Sequence, residues 1–245
     1  MGYIMALSFS KLTDSSLKQC VVQELENKIL SGELKPGDRL PPERELASAM
    51  GISRSLVNLC ILDLDSKGFV SINPRKGTFV NDFRRQGTLQ ILLSLMNYNS
   101  DRMDLELFDN MMDTRRLIEY ECTRLAVQNA ADRDLQKIGD AFHTMTERED
   151  MQGFVNGNFS FHHALASASG NAVYAMIFNS FKPAIHCFLR LYFSAGNRRD
   201  ASVEHHRELL DALMKRDEAA ALEAIGRTLD MGISGLERIY KREIG

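Results

Sequence analysis

The chain has 245 residues, 44% hydrophobic and 26% charged, with a formal net charge of −3. That is the balance of a soluble globular protein with room for one large domain or two small ones. No apolar run approaches the ~20 residues a membrane span needs. The start, MGYIMALSFSKL, has neither the basic segment nor the long apolar core of a secretory signal, so a cytoplasmic protein with no membrane partner is expected. Cys20, Cys60, Cys122 and Cys187 lie far apart without zinc or redox spacing and read as packing residues in a reducing compartment.

In chain order, Leu17, Val21, Leu25 and Ile29 recur every four residues, which predicts a helix over 15–31. SGELKPGDRLPPE breaks it with Gly and Pro. A short helix follows from Glu43 to Met50, stopped by Gly51. Ser53 is a good N-cap for the next helix, which runs to about Lys67 and ends at Gly68. FVSINPRKGTFV is two β-prone runs around a turn, a small hairpin. After NDFRRQG, the stretch from Thr88 to Gly245 is almost all helix-period, with Pro183 its sole proline and short polar connections such as NAADRD and SAGNRRD. That pattern is an antiparallel all-α bundle.

The predicted fold is therefore mainly α. A winged helix-turn-helix at 11–84, three helices plus a small β-hairpin, is followed by a linker at 85–95. An all-α domain fills 96–242. Residues 1–85 carry 12 Lys+Arg against 10 Asp+Glu, which leaves −5 for the rest of the chain; the N-terminal part suits the more negative partner.

The third helix carries the nucleic-acid argument. At 100° per residue Arg54, Ser55, Asn58 and Asp65 share one side and Val57, Cys60 and Leu64 the other, with Ile61 at the border. One face packs, and the other is free for a major groove. Arg54 and Ser55 sit at the N-terminal end, where helix-turn-helix proteins touch base edges, and Arg54 suits guanine O6 and N7. Arg44 can do the same or clamp a phosphate. Arg75 and Lys76 at the hairpin tip suit phosphate or minor-groove contact. The competing reading is a small helical domain with surface arginines.

Over residues 11–82 the blocks LPPERELA, the Gly51-x-Ser53-Arg54 turn and the Gly77-Thr78-Phe79-Val80 strand resemble the DNA-binding domain of the GntR family of bacterial repressors. The resemblance implies operator contacts by Arg44, Arg54 and the wing-tip Gly77, with Ser53 beside them. Where that family has an arginine followed by Glu-Ala, this chain has Asn58, Leu59 and Cys60.

DTRRLIEYECTRLAV, FHHALASASGN and HRELLDALMKRDEAAALEAI resemble the ligand-sensing FCD domain of the FadR-type GntR subfamily. The resemblance implies a homodimer on a pseudo-palindromic double-stranded operator, with a small-molecule effector in the helical domain. Most such domains hold a divalent metal such as zinc or nickel through one Asp and three His. Here those places fall on Asn158, His162, His206 and Thr228. Two of four ligands survive, so a degenerate site at Asn158, His162 and His206 is expected to lack the charge and number for a tight metal. The bland alternative is that His162 and His206 are buried polar residues satisfied by neighbours.

A cavity with a reduced ligand set suggests another use, and the resemblance implies a fatty acyl-CoA or a small carboxylate as its effector. Arg115 matches a cavity-facing family arginine, with Glu119 one turn later, although an ordinary i,i+4 ion pair explains the two equally well. Arg190 and Tyr192 can bind a carboxylate or phosphate head group. Met176, Phe178, Phe181 and Phe188 line a lipid slot or simply form core. Two rival functions stay open: a metal-dependent hydrolase using His162, His206 and Glu204, which lacks a three-ligand site and a nucleophile motif, and a DNA-binding scaffold whose cavity senses nothing. No catalytic residue is assigned, and a non-enzyme is expected.

Overall fold

A computed structural model describes residues 14–98, 105–196 and 198–244, and the chain divides into two compact units after Tyr98. Residues 11–13 of the expected first domain and 99–104 of the expected second lie outside the described residues.

The first unit opens with α1 (Asp14–Leu30), α2 (Glu43–Met50) and α3 (Arg54–Lys67). The strands β1 (Val70–Asn73) and β2 (Gly77–Val80), then α4 (Phe83–Gln86) and α5 (Leu89–Tyr98), complete it. Val21, Leu25 and Ile29 of α1 are buried, whereas Leu17 at the start of the same stripe stays 43% exposed. With Cys60, Leu64, Phe69, Val70 and Val80 they form the main core, and Leu46, Val57 and Ile61 a second cluster between α2 and α3. Each large side chain so buried contributes about 1.5–3 kcal/mol.

The helix boundaries follow local chemistry. The Ser53 hydroxyl accepts from Leu56 N at 3.2 Å and so caps α3. Gly51 and Gly68 end α2 and α3 with φ of 65° and 93°, where a side chain would strain the backbone. The hairpin is antiparallel with Val70 opposite Val80 and Asn73 opposite Gly77. The loop after α1 pairs onto it through Leu40 N to Thr78 O at 2.9 Å. Residues 85–95, expected as a linker, carry part of α4 and much of α5. Ile91 of α5 is buried in the main core. The Thr88 hydroxyl just before α5 donates to Lys67 O at 2.7 Å, at the end of α3.

The second unit is all helix: α6 (Leu105–Asn129), α7 (Asp132–Glu147), α8 (Met151–Ala168), α9 (Ala172–Ser180), α10 (Lys182–Ser194), α11 (Arg199–Met214) and α12 (Glu218–Ile244). The middle of the unit is α8, packed on α6, α7, α9 and α10. It turns Phe154, Val155, Asn158, Phe159, Phe161, His162 and Leu165 into the interior. Gly157 makes the α7–α8 approach possible, because a Cβ there would run into the backbone of Met145. The C-terminal end of α6 is closed by Arg216, which stands after α11 with φ of 57°. Its guanidinium donates to Val127 O at 3.0 Å and Ala130 O at 2.6 Å. Among the described residues no single helix is long and apolar enough to cross a membrane.

Candidate nucleic-acid interface and buried polar site

On the first unit, α3 buries Val57, Cys60, Ile61 and Leu64 and leaves Arg54, Ser55 and Asn58 exposed on the other side. Arg44, Ser53, Arg75 and Lys76 are also exposed, and Gly77 is half-buried. Arg75 turns the hairpin with φ of 64°. Gly77 has φ of +118°, and a Cβ there would press on the Arg39 guanidinium.

Sequence periodicity missed one residue on this face. Glu43, at the start of α2, accepts from Arg54 Nε at 3.1 Å through Oε2 and from Asn58 Nδ2 at 2.9 Å through Oε1. The hydrogen bond from Asn58, then that from Arg54, holds the Glu43 carboxyl below the usual carboxylate range. Only the α2–α3 crossing brings these three side chains together, so no spacing rule along the chain could have found the cluster.

In the second unit a small polar cluster sits inside an otherwise apolar bundle. Glu119 of α6, Asn158 and His162 of α8, and Ser202 and His206 of α11 are all buried, as is Thr228 of α12. Arg115 Nε donates to Glu119 Oε1 at 2.5 Å. His162 Nδ1 lies 2.5 Å from Glu119 Oε2, in close contact but off the line of a good hydrogen bond. Burial pushes the Glu119 carboxyl up, but Arg115 and His162 together outweigh it and leave it at about 2. Burial, and after it the neighbouring His162, push His206 down to about 3. A neutral His206 donates through Nδ1 to Ser202 O at 2.6 Å, which turns its Nε2 lone pair inward.

That lone pair faces Asn158 Nδ2 at 3.3 Å and His162 Nε2 at 3.1 Å. Among the described residues Asn158 Oδ1 has no partner. His206 has its Nδ1 held by a backbone carbonyl, as metal-binding histidines commonly do, whereas His162 Nδ1 lies against the Glu119 carboxylate without a formed hydrogen bond.

The donor set is nevertheless thin. Glu119 spends its oxygens on Arg115 and His162, and Thr228 Oγ1 donates to Ala224 O within its own helix. Among the described residues no three His, Cys, Asp or Glu side chains gather as a metal cluster. Two imidazole nitrogens, joined by the amide oxygen only once Asn158 turns its oxygen toward His206, fit at most a weakly held, imidazole-preferring ion whose shell is completed from outside, not a closed four-ligand site.

The cluster edges a cavity of about 30 Å³, lined by Arg115, Asn158, His162, Phe188, Leu189, Tyr192, Ser202, His206 and Thr228. That is room for a water or two. An organic effector is larger than this space, so the lining must shift to admit one.

Of the six residues assigned to an effector, Arg115, Asn158, His162, Tyr192 and His206 meet here. Arg190 does not: two positions before Tyr192 on α10, it lies ~200° around the helix and is exposed. Phe188 lines the cavity and packs edge-on against Phe108, and Phe178 stacks on Phe159. Met176 is 67% exposed and lines no part of this cavity. Glu204, the third member of the hydrolase reading, is exposed and paired with Arg207 at 2.7 Å.

The comparisons with known proteins agree with both halves of this description. A profile for bacterial regulatory proteins of the gntR family matches residues 17–80, and one for the FCD domain matches residues 110–231. A fatty acid metabolism regulator protein of Shewanella sp. (strain ANA-3) is 28% identical over 200 residues, 82% of this chain and 81% of that one. The HTH-type transcriptional regulator Mce2R of Mycobacterium tuberculosis (strain CDC 1551 / Oshkosh) is 24% identical over 230 residues, 94% of this chain and 95% of that one. Among solved structures, the Listeria monocytogenes protein Lar, described as controlling the agr system, aligns with a TM-score of 0.64. Its identity is 20%, over 95% of this chain and 99% of that chain. E. coli McbR/YncC aligns with a TM-score of 0.51 at 22% identity, over 91% of this chain and 98% of that chain.

Proposed function

The chain belongs to the GntR family of DNA-binding transcriptional regulators and carries an FCD effector domain, and from that premise we propose that an anionic small molecule bound in the helical unit sets its affinity for an operator. The protein acts in the cytoplasm as a homodimer, each copy placing α3 in the major groove of one half of a pseudo-palindromic site. Arg54 and Ser55 meet base edges there. Arg44, Arg75 and Lys76 hold phosphates, and Gly77 lets the wing approach closely.

The observation that supports effector sensing is the polar cluster of Arg115, Glu119, Asn158, His162 and His206 around a cavity in an apolar bundle. The Asn158 amide oxygen has no protein partner among the described residues and borders the cavity, so it stays available to a water or a ligand there. The effector class is a fatty acyl-CoA or a small carboxylate; the printed name of the Shewanella relative favours the first. If a zinc- or nickel-class ion takes part, Nε2 of His162 and His206 with Oδ1 of Asn158 hold it, and it supplies positive charge for a carboxylate.

The test is a pair of titrations on the full chain. Fatty acyl-CoA and small dicarboxylates, each with and without zinc, are followed by thermal shift and by operator gel shift. A true effector raises the melting temperature and changes operator affinity together, because the coupling is reciprocal. A compound that shifts one and not the other is not the effector. If every compound leaves both unchanged, the reading is wrong and the protein is a non-sensing scaffold.

A further inference from the structure

The Glu43 cluster says more than that α3 has an exposed face. The Glu43 carboxylate takes one hydrogen bond from Arg54 Nε and one from Asn58 Nδ2. These two residues stand one turn apart on the exposed side of α3. The Arg54 side chain is 74% exposed, so its far end reaches out while its Nε is tied down. Tying Nε leaves both terminal nitrogens as a two-pronged fork, the part that matches guanine O6 and N7.

The consequence for Asn58 is sharper. A side-chain amide on an open helix face can turn over, exchanging its oxygen and nitrogen. Glu43 is an acceptor and holds only the nitrogen end, so one orientation is kept. The NH2 group has two hydrogens and Glu43 needs only one. With Glu43 on the hydrogen away from Oδ1, the other hydrogen and Oδ1 together form the donor–acceptor pair that fits adenine N7 and N6.

We propose that Asn58 reads an adenine in each half-site and that Glu43 is the positioning residue that fixes both Asn58 and Arg54 for base readout. This rests on the reading that α3 enters the major groove. A helical turn rises about 5.4 Å against about 3.4 Å per base step. The adenine therefore lies one or two steps from the guanine met by Arg54. Asn58, standing where the family has an arginine, is on this view a change of specificity and not only a lost cation.

The experiment is selection of bound duplexes from a randomised DNA library, using the full chain in wild-type, R54A, N58A and E43Q forms. Far-UV circular dichroism and melting confirm that each is folded. Wild type is expected to enrich a half-site with an A·T pair one or two steps from a G·C pair. N58A should lose the preference at the A·T position alone, by about tenfold or more. E43Q keeps the size of the side chain but offers one acceptor where two donors converge; it should relax both positions, which a purely structural α2–α3 staple would not do.

If R54A changes the selected site while N58A and E43Q return the wild-type site, the adenine reading is overturned and the placement of α3 stands. If N58A weakens all sequences equally, Asn58 holds a phosphate and the proposal fails. If wild type enriches nothing, or R54A returns the wild-type site, the placement of α3 in the groove falls, and the proposal with it.

Discussion

Arg216 allows a stability effect to be worked out with a sign that two variants can separate. Its guanidinium bonds the carbonyls of Val127 and Ala130 at the end of α6, at 3.0 and 2.6 Å. Removing a charged partner from such groups costs about 1.5–3 kcal/mol each when they are sealed from water. The Arg216 side chain is 37% exposed, so water replaces part of that, and about 2 kcal/mol in total is expected for Arg216→Ala.

Arg216 also has φ of 57°, which costs any residue with a Cβ about 1–2 kcal/mol. Arg216→Gly loses the same bonds but recovers about 1 kcal/mol of that strain. The expected order is wild type, then R216G, then R216A. At roughly 2–4 °C per kcal/mol for a unit of this size, R216A melts about 4–8 °C low and R216G about half as much. Urea and thermal unfolding by circular dichroism give the order, and hydrogen exchange over residues 120–130 localises it. R216A as stable as wild type would refute the cap, and R216G no better than R216A would refute the strain.

Asn158→Asp puts a carboxylate beside Nε2 of His162 and His206, and zinc affinity measured by calorimetry or native mass spectrometry should rise at least about tenfold; no gain means that the two imidazoles do not act as ligands. Glu119→Gln leaves the part-buried Arg115 without its counter-charge and should cost about 3 kcal/mol at neutral pH by urea denaturation, the low end for a buried pair; a neutral result would mean that solvent already screens the pair. Gly157→Ala drives a Cβ into Met145 and should destabilise the helical unit by about 1–3 kcal/mol, read as a lower melting temperature. Arg54→Ala should weaken binding to the selected operator by about 1–3 kcal/mol and relax one base preference; fluorescence anisotropy with single-base operator variants checks both.

What could be read along the chain was whatever depends on neighbours in sequence. The ends of α2 and α3 follow from Gly51, Ser53 and Gly68, whose roles are set by local dihedrals and caps. The packed side of α3 follows from its period, and Ile61, placed at the border, is buried. The hairpin follows from two short β-prone runs around Asn73–Gly77. What could not be read depends on crossings. Arg115 and Glu119 form the i,i+4 pair their spacing suggests, but its burial, and the way Glu119 reaches His162, require α6 and α8 to pack together. The Ser202 carbonyl that orients His206 is invisible for a simpler reason: every residue has one. Arg190 and Tyr192 looked equivalent as polar groups near one wall, yet helical geometry sends only Tyr192 inward. Helix α5 does have a cap signal in Thr88, whose hydroxyl accepts from Ile91 N at 3.4 Å; what the sequence does not reveal is that α5 packs Ile91 into the core of the first unit and is no linker.

The Thr88 hydroxyl has a mechanical meaning. It ties the start of α5 to the last carbonyl of α3 by a bond of 2.7 Å, while Ile91 one turn further on is locked in the core. Helix α5 is the last element of the first unit, so a pull on its far end acts as a lever with Thr88 as the pin. The load reaches α3 at its C-terminal end, opposite Arg54 and Ser55.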